Sequence, residues 1–242
     1  MSRLFLGGFA AMLAALMATT ACKSSDAKPR ASDSTAAAPA ASTASASGQL
    51  ASRGVPNDTI SERADRGRIL GDANATVWLI MASDFQCPYC KQWHDASFAT
   101  IMRDYVNKGK IRLAFLNYPL AMHQNALPAS EAAMCASVQN KFWPMHESLF
   151  ATQPKWENSP TPNAVFDSLA NAAHVDMKPY HECISKHLTL PLIQVDRDHG
   201  QSSGVRSTPT FFAGPYGLEG ANANVAAALD SALAKAGKKP AN

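Results

Sequence analysis

The sequence predicts an α/β domain in which a long helical segment interrupts a small sheet. An apolar run over residues 77–82 is typical of a buried central strand, and an imperfectly alternating run over 110–117 is typical of a second strand. Between them, apolar residues recur at helical spacing from Pro88 onward until Gly109. Strand, helix and strand at this spacing indicate a βαβ unit with parallel strands.

Strand signals then cease for about 90 residues and return near the C-terminal end. Short strands are predicted over 210–213 and 217–219, joined by a turn at 214–216, and an Ala-rich helix over 222–236 follows them. The predicted order of elements is therefore β-α-β, a helical block, and β-β-α.

Five helices, broken by Pro and Gly, are predicted within the block. They cover residues 130–139, 140–151, 162–173, 177–186 and 190–203. One of them carries an apolar face, for which packing in the core is expected in preference to a peptide-binding groove. The residues of this face are Phe142, Trp143, Met145 and Phe150.

The first 21 residues have the pattern of an export signal. Arg3 supplies a positive charge, and Leu4–Ala18 is apolar and too short to span a bilayer comfortably. Small residues precede Cys22, which predicts lipoprotein processing with lipid on Cys22, although Thr19 stands where bacterial lipoproteins usually have Leu. Ordinary signal cleavage and an uncleaved anchor are the alternatives.

Residues 22–54 are predicted to form a disordered tether. Ala, Ser and Thr make up 15 of the 18 residues over 31–48, and such a composition buries too little apolar surface to fold. The formal net charge of +3 belongs to the first 54 residues, so the remaining chain is neutral. A neutral domain has no electrostatic footprint for nucleic acid, and we expect no nucleic-acid partner.

The motif Cys87-Pro88-Tyr89-Cys90 follows the first predicted strand and begins the first predicted helix. Two cysteines at this spacing and in this position are typical of a dithiol redox centre. A structural disulfide and a zinc site are the alternatives. A c-type haem needs His after the second cysteine, where this chain has Lys91.

The position of Cys87 at a helix N-terminus favours its thiolate, which makes it the expected nucleophile. Cys90 lies one turn into the helix, is expected to be less exposed, and would resolve the mixed disulfide. Pro88 and Tyr89 are expected to tune the reduction potential. His94 is interpreted as a solvated helix residue in preference to a group that tunes the pKa of Cys87.

Cys135 and Cys183 lie on predicted helices of the block. With Cys22 lipidated, four cysteines remain in an oxidising compartment, which favours a structural disulfide between Cys135 and Cys183. A second redox pair and two free thiols are the alternatives. No histidine shows metal-ligand spacing, so neither a metal nor a cofactor is predicted.

These motifs together resemble those of the DsbA-like thiol:disulfide oxidoreductases, whose fold is a thioredoxin fold with a helical insertion. The matching residues are 83–90, 133–136, 142–143, 204–205 and 208–212, and the resemblance covers about residues 68–238. It implies a thioredoxin-like first half over 55–124, a helical insertion over 125–203 and a thioredoxin-like second half over 204–242.

In this family the proline of the Thr-Pro pair is cis and faces the redox cysteines, which the resemblance carries to Pro209, with Thr208 as a supporting residue. Relatives often place an acidic residue six positions before the first redox cysteine. Met81 occupies that position here, and Asp84 lies closer to the motif with opposite strand parity. How Cys90 loses its proton is therefore left open.

The resemblance implies an oxidoreductase of the bacterial periplasm or cell envelope, with the membrane bound through Cys22. Its expected partners are cysteine-containing exported proteins and a membrane protein that recycles the dithiol. Formation of disulfides is the favoured activity. Disulfide isomerisation, reduction and a redox-inert binding lipoprotein on the same scaffold are the alternatives.

Overall fold

The computed structural model describes residues 59–237, so the predictions for 1–21, for 22–54 and for Cys22 lie outside the described residues. Five strands form one mixed sheet in the order β1-β3-β2-β4-β5. The strands are β1 (Ile69–Gly71), β2 (Val77–Ser83), β3 (Ile111–Asn117), β4 (Thr210–Ala213) and β5 (Tyr216–Glu219). Only β2 and β3 pair in parallel, as the sequence predicted, and the other three pairings are antiparallel.

The sheet brings the two ends of the predicted redox motif together. β2 lies at its centre and pairs with β4 so that Ala82 faces Thr210. Because the two strands are antiparallel, the chain that leaves β2 starts beside the chain that enters β4. Cys87 and Pro209 therefore meet at one edge of the sheet although they lie far apart in the sequence.

The helix after β2 is one continuous rod with two wider turns. It consists of α2 (Pro88–Trp93), a π-helical turn (His94–Phe98), α3 (Ala99–Ile101) and a second π-helical turn (Met102–Val106). The sequence predicted this helix, and Gly109 beyond its end adopts a positive φ of 65°, where an L-residue is disfavoured. The π-helical turns were not predicted, because periodicity does not distinguish them from an α-helix over so short a stretch.

Six helices separate β3 from β4 and confirm the predicted all-helical insertion. They are α4 (Ala126–Ser137), α5 (Phe142–Ala151), α6 (Gln153–Trp156), α7 (Asn163–Ala172), α8 (Met177–Ser185) and α9 (Leu190–Ser202). The short α6 is an addition to the five predicted helices. After the β4–β5 hairpin, α10 (Val225–Gly237) packs its apolar side on the sheet.

Two elements at the start of the domain were missed, namely α1 (Ile60–Gly67) and β1. A capping box begins α1, in which the Thr59 hydroxyl accepts from Glu62 N–H at 3.2 Å and the Glu62 carboxylate accepts from Thr59 N–H at 2.8 Å. This Thr-x-x-Glu pattern was a readable helix signal in the sequence. The buried Arg68 then fixes β1, because its guanidinium donates to Asp196 and to the Phe115 carbonyl oxygen.

Aromatic side chains from both parts of the chain share one core. Phe85 follows β2 and stacks on Phe115 of β3 with ring centroids 4.9 Å apart, and it also contacts Phe142 and Phe150 of the insertion. Phe142, Met145 and Phe150 are fully buried, and Trp143 is half-buried against them. The predicted core role of this helix face is confirmed.

A disulfide between Cys135 and Cys183 joins α4 to α8. The two cysteines are therefore bonded to each other and are not free thiols. In the chain-entropy account, a cross-link that closes 48 residues stabilises the fold by about 4 kcal/mol. Among the residues that the structure describes, no helix has both the length and the apolar character needed to cross a bilayer.

Candidate active site

Cys87 is the N-cap of the helix that carries the redox pair. Its backbone is extended, with φ −68° and ψ 123°, and Pro88 occupies the first helical turn. A proline costs nothing there, because that turn has no intrahelical acceptor for its missing N–H. The free N–H groups of the turn point toward Cys87, as the sequence predicted, and favour an anion.

Both cysteines of the motif are buried, and Cys90 is the less exposed of the two, as predicted. Cys87 is 3% exposed and Cys90 is 2% exposed, whereas Tyr89 between them is 62% exposed. The strand before the motif and the loop before β4 both pack against the start of the helix, which covers the first cysteine as well as the second.

The pKa values of the two thiols are shifted in opposite directions. A hydrogen bond from the Cys90 thiol lowers the pKa of Cys87 to about 6, with further help from Thr208 and the N–H groups of Cys90 and Tyr89 and against the effect of burial. Burial raises the pKa of Cys90 well above its usual value, and the neighbouring Cys87 raises it further. One sulfur is thus suited to be an anion and the other to keep its proton.

The loop before β4 lies directly against Cys87. The Thr208–Pro209 peptide bond is cis, the conformation that the resemblance implies. The Cys87 thiol donates to the Thr208 carbonyl oxygen at 3.5 Å. The Thr208 hydroxyl is buried and has no other hydrogen-bond partner within the described range, so it is free to donate to a thiolate. Gly220 N–H donates to the Pro209 carbonyl oxygen at 2.8 Å and ties the loop to the end of β5.

Asp84 holds the turn that leads from β2 into the helix. Its fully buried carboxylate accepts from the N–H of Gln86 at 2.7 Å and of Cys87 at 3.2 Å through one oxygen. The other oxygen accepts from Leu120 N–H at 2.9 Å and lies 2.7 Å from His123 Nδ1. The N–H of Asp84 itself donates to Cys90 Sγ at 3.5 Å. Asp84 is therefore an anchor for both cysteines, and Met81, six residues before Cys87, is buried in the core.

Amide side chains connect this turn to the helical insertion. Gln153 of α6 donates to the carbonyl oxygens of Phe85 at 2.7 Å and Cys87 at 3.2 Å. Gln86 donates to the Glu157 carbonyl oxygen at 2.7 Å and accepts from Asn125 N–H at 2.7 Å. The insertion therefore supports the backbone of the redox motif directly.

Sequence reasoning missed the contributions of His123, Asn125 and Gln153. Each lies on a loop or helix that is remote from Cys87 in the sequence, and a lone His, Asn or Gln has no spacing that marks it. Gln86 was part of the matched motif, but its contact with the insertion became visible only in the structure.

The interpretation of His94 as a solvated residue is wrong. The His94 side chain is 11% exposed and stacks on Phe98 and Phe150, with ring centroids 5.1 and 4.8 Å away. The π-helical turn that begins at His94 places the ring against α5 of the insertion. There it meets His146, which is fully buried, and burial lowers the pKa of His146 well below its usual value.

The comparison with known families decides the family of this chain. A family model described as thioredoxin matches residues 63–231. The chain belongs to the thioredoxin family. Within this thioredoxin family it is a DsbA-like thiol:disulfide oxidoreductase, with the mixed sheet and the helical insertion of that group.

The thioredoxin domain is also similar to individual proteins. It is 26% identical over 160 residues to disulfide bond formation protein D of Bacillus subtilis, covering 64% of this chain and 72% of that protein. The crystal structure of oxidised BdbD from Bacillus subtilis aligns with a TM-score of 0.60 at 25% identity, covering 70% of this chain and 92% of that one.

A second relative has a different overall architecture. The chain is 31% identical over 189 residues to Na(+)/H(+) antiporter NhaA 3 of Salinispora tropica. The match covers 75% of this chain but only 28% of the antiporter. The similarity therefore concerns one part of that longer protein.

Proposed function

We propose that this protein forms disulfide bonds in exported proteins of the bacterial envelope through the Cys87–Cys90 pair. The observation that carries the proposal is the opposite shift of the two pKa values, to about 6 for Cys87 and well above the usual value for Cys90. A stabilised thiolate at Cys87 favours the reduced form of the pair. The oxidised form is then a ready acceptor of electrons.

The reaction begins with the Cys87–Cys90 disulfide. A substrate thiolate attacks Cys87 Sγ, a bond forms between the two sulfurs, and the Cys87–Cys90 bond breaks. Cys90 leaves with the electron pair and takes up a proton, which its raised pKa favours. The product is a mixed disulfide between Cys87 and the substrate.

A second thiolate of the substrate completes the exchange. It attacks the substrate sulfur that is bound to Cys87, the new substrate disulfide forms, and Cys87 leaves as a thiolate. Because a sulfur of low pKa leaves faster, the value of about 6 for Cys87 accelerates this step. Overall the substrate dithiol loses two electrons and the protein gains a dithiol.

A surface cleft beside the motif is the proposed site of the substrate chain. Tyr89 and Gln92 of the redox helix line one side, and Ser207, Thr208 and Glu219 line the other. Pro209, which has no N–H, keeps a hydrogen-bond donor away from the substrate sulfur. Pro88 is exposed next to Tyr89, and we propose that both tune the potential of the pair.

The proposed location is the periplasmic side of the cell envelope, with lipid on Cys22 as the anchor and residues 22–54 as the tether. The signal-like segment over 1–21 supports export. After each turnover the pair must be reoxidised, and we propose that a membrane partner accepts the two electrons.

Reduction of substrate disulfides is the reverse of this reaction, whereas isomerisation breaks and re-forms substrate disulfides without net transfer of electrons. Both start from the reduced Cys87–Cys90 pair, so the reduction potential of the pair separates them from oxidation. A redox-inert binding lipoprotein would lack a low-pKa thiolate. The value of about 6 for the pKa of Cys87 favours the oxidoreductase.

An oxidative refolding experiment tests the proposal. The oxidised full chain is mixed with a reduced, unfolded ribonuclease, and thiols of both proteins are counted by mass spectrometry after acid quenching. We expect the ribonuclease to gain one disulfide for each protein dithiol that appears, and the Cys87→Ser variant to transfer none. Transfer by Cys87→Ser at the rate of the parent, or no transfer by the parent, contradicts the proposal.

The role of Pro209 is tested in the same assay. We expect Pro209→Ala to accumulate the mixed disulfide with ribonuclease. Pro215→Ala, which changes a proline in the β4–β5 turn, is the matched control and is expected to behave like the parent. Equal turnover by Pro209→Ala and the parent would exclude the proposed role.

A further inference from the structure

His146 of α5 is an anomaly in the core of this protein. It is fully buried, and neither of its ring nitrogens has a hydrogen-bond partner in the part of the chain that the structure describes. Leaving a buried polar group unpaired destabilises the native state. Most of its neighbours are aromatic rings, among them Phe85, Phe98 and Phe142, and these offer it no hydrogen bond.

One polar ring does face His146. The ring centroid of His94 lies 5.2 Å away, at the start of the π-helical turn in the redox helix. His94 in turn lies between two carboxylates, with Nδ1 3.2 Å from Asp95 Oδ1 and Nε2 3.3 Å from Glu147 Oε2. Glu147 is the residue after His146 on α5, and its side chain is half-exposed.

In one tautomer of His94, this arrangement places two electron pairs opposite each other. When Nδ1 of His94 donates its hydrogen to Asp95, a neutral ring presents a lone pair at Nε2. That lone pair faces the carboxylate of Glu147, and Nε2 makes no hydrogen bond within the described residues. A cation between the two groups would satisfy both of them and would offer a partner to His146.

We propose that His94, His146 and Glu147 form a binding site for a divalent transition-metal ion, with Zn²⁺ as the best match. Each residue offers one ligand atom, and these three atoms lie within 4.8 Å of one another. Two imidazoles and one carboxylate are a donor set that Zn²⁺ binds with bonds of about 2.0–2.2 Å.

The surroundings fit a metal site in two further respects. In metalloproteins, a histidine ligand usually donates its other ring N–H to a carboxylate, which orients the ring. Asp95 is placed to accept from Nδ1 of His94 in this way. A surface cleft lined by His94, Glu147 and Asn107 gives the ion a path from solvent and leaves room for a water ligand. The buried His146 lies on the side of the proposed site that faces the core.

The proposed ion joins two parts of the fold. His94 belongs to the helix that begins at Cys87, and the other two ligands belong to the insertion. The ion would hold that helix against α5 and thereby stabilise the native state. No spacing in the sequence marks such a site, because its ligands come from two separate helices.

Binding of Co²⁺ to the full chain tests this proposal. Cobalt replaces zinc in such sites and reports a low coordination number by intense visible absorption. The protein carries Cys22→Ser, Cys87→Ser and Cys90→Ser and no histidine tag, so no free thiol competes for the ion. The test is thereby independent of the proposed oxidoreductase activity. We expect saturable binding of one Co²⁺ per chain that Zn²⁺ displaces.

The side chain of Glu147 is half-exposed, so its substitution avoids damage to the core. We expect Glu147→Gln and His94→Ala each to weaken Co²⁺ binding by about 100-fold or more, and Asp95→Asn by about 10–100-fold. His181→Ala is the matched control, because His181 forms a surface pair with Asp167 at 3.3 Å, and it should bind like the parent. Zn²⁺ should raise the unfolding temperature of the parent and of His181→Ala but not of Glu147→Gln.

Three results would overturn the proposal. They are the absence of saturable Co²⁺ binding by the parent, unchanged affinity in His94→Ala and Glu147→Gln, and an equal loss of affinity in His181→Ala. Each would mean that His94, His146 and Glu147 do not form the metal site.

Discussion

The sulfur of Cys87 lies 3.5 Å from the carbonyl oxygen of Thr208, which is 121 residues further along the chain. This contact exists because the antiparallel pairing of β2 and β4 brings the exit of one strand beside the entrance of the other. It places a buried hydroxyl and a proline without N–H next to the reactive sulfur. The electrostatic state of Cys87 therefore depends on groups from both ends of the domain.

Replacing Cys90 should raise the pKa of Cys87, because the Cys90 thiol is the largest single influence that lowers it. We expect Cys90→Ala to raise the pKa of Cys87 from about 6 by at least ~1 unit. Cys90→Ser keeps a hydroxyl donor and should raise it less. The measurement is the pH dependence of Cys87 alkylation, followed by mass spectrometry of its peptide. The same pKa in both variants would show that the hydrogen bond does not control the thiolate.

The stability of the reduced protein should increase with pH between about 6 and 9. The pKa of Cys87 is lowered from 9.0 to about 6 on folding, so its contribution is absent below pH 6, grows through this window and is complete above pH 9. We expect a gain of about 2–4 kcal/mol relative to Cys87→Ser. Urea unfolding of both reduced proteins from pH 5 to 9 measures it. Parallel curves for the two proteins would contradict the prediction.

Asp84 should matter more for stability than its neighbour His123. Asp84→Ala leaves the N–H groups of Gln86 and Leu120 without their acceptor and removes one of the two acceptors of Cys87 N–H, for which we expect a loss of about 2–4 kcal/mol. His123→Ala removes one hydrogen bond to the same carboxylate and should cost about 1 kcal/mol. Urea unfolding of the oxidised proteins tests both. A smaller loss in Asp84→Ala than in His123→Ala would show that the carboxylate is not the anchor of this turn.

Long elements of the fold were predictable because their apolar periodicity is strong. The strands over 77–83 and 111–117 and the helices of the insertion begin and end within a few residues of the predicted positions, apart from α4. The three-residue β1 is too short to show a period, and it was missed for that reason. The helix before it was missed although its Thr59-x-x-Glu62 cap was present in the sequence.

The candidate site was predictable only where a motif marks it. Cys87, Cys90 and the Thr208–Pro209 pair could be found because their spacing and order are unusual. The anchoring of the motif by Asp84 and Gln153 depends on side-chain directions that no local pattern reveals. The coverage of Cys87 likewise follows from the packing of distant segments, which no local pattern marks.

The equilibrium reduction potential of the Cys87–Cys90 pair tests the central claim most directly. It is measured by equilibrating the full chain with glutathione buffers of known ratio and counting the thiols of this pair by mass spectrometry. A stabilised Cys87 thiolate predicts an oxidising value closer to about −120 mV than to about −270 mV. A value near −270 mV would contradict the account, because the pair would then donate electrons to substrates instead of accepting them.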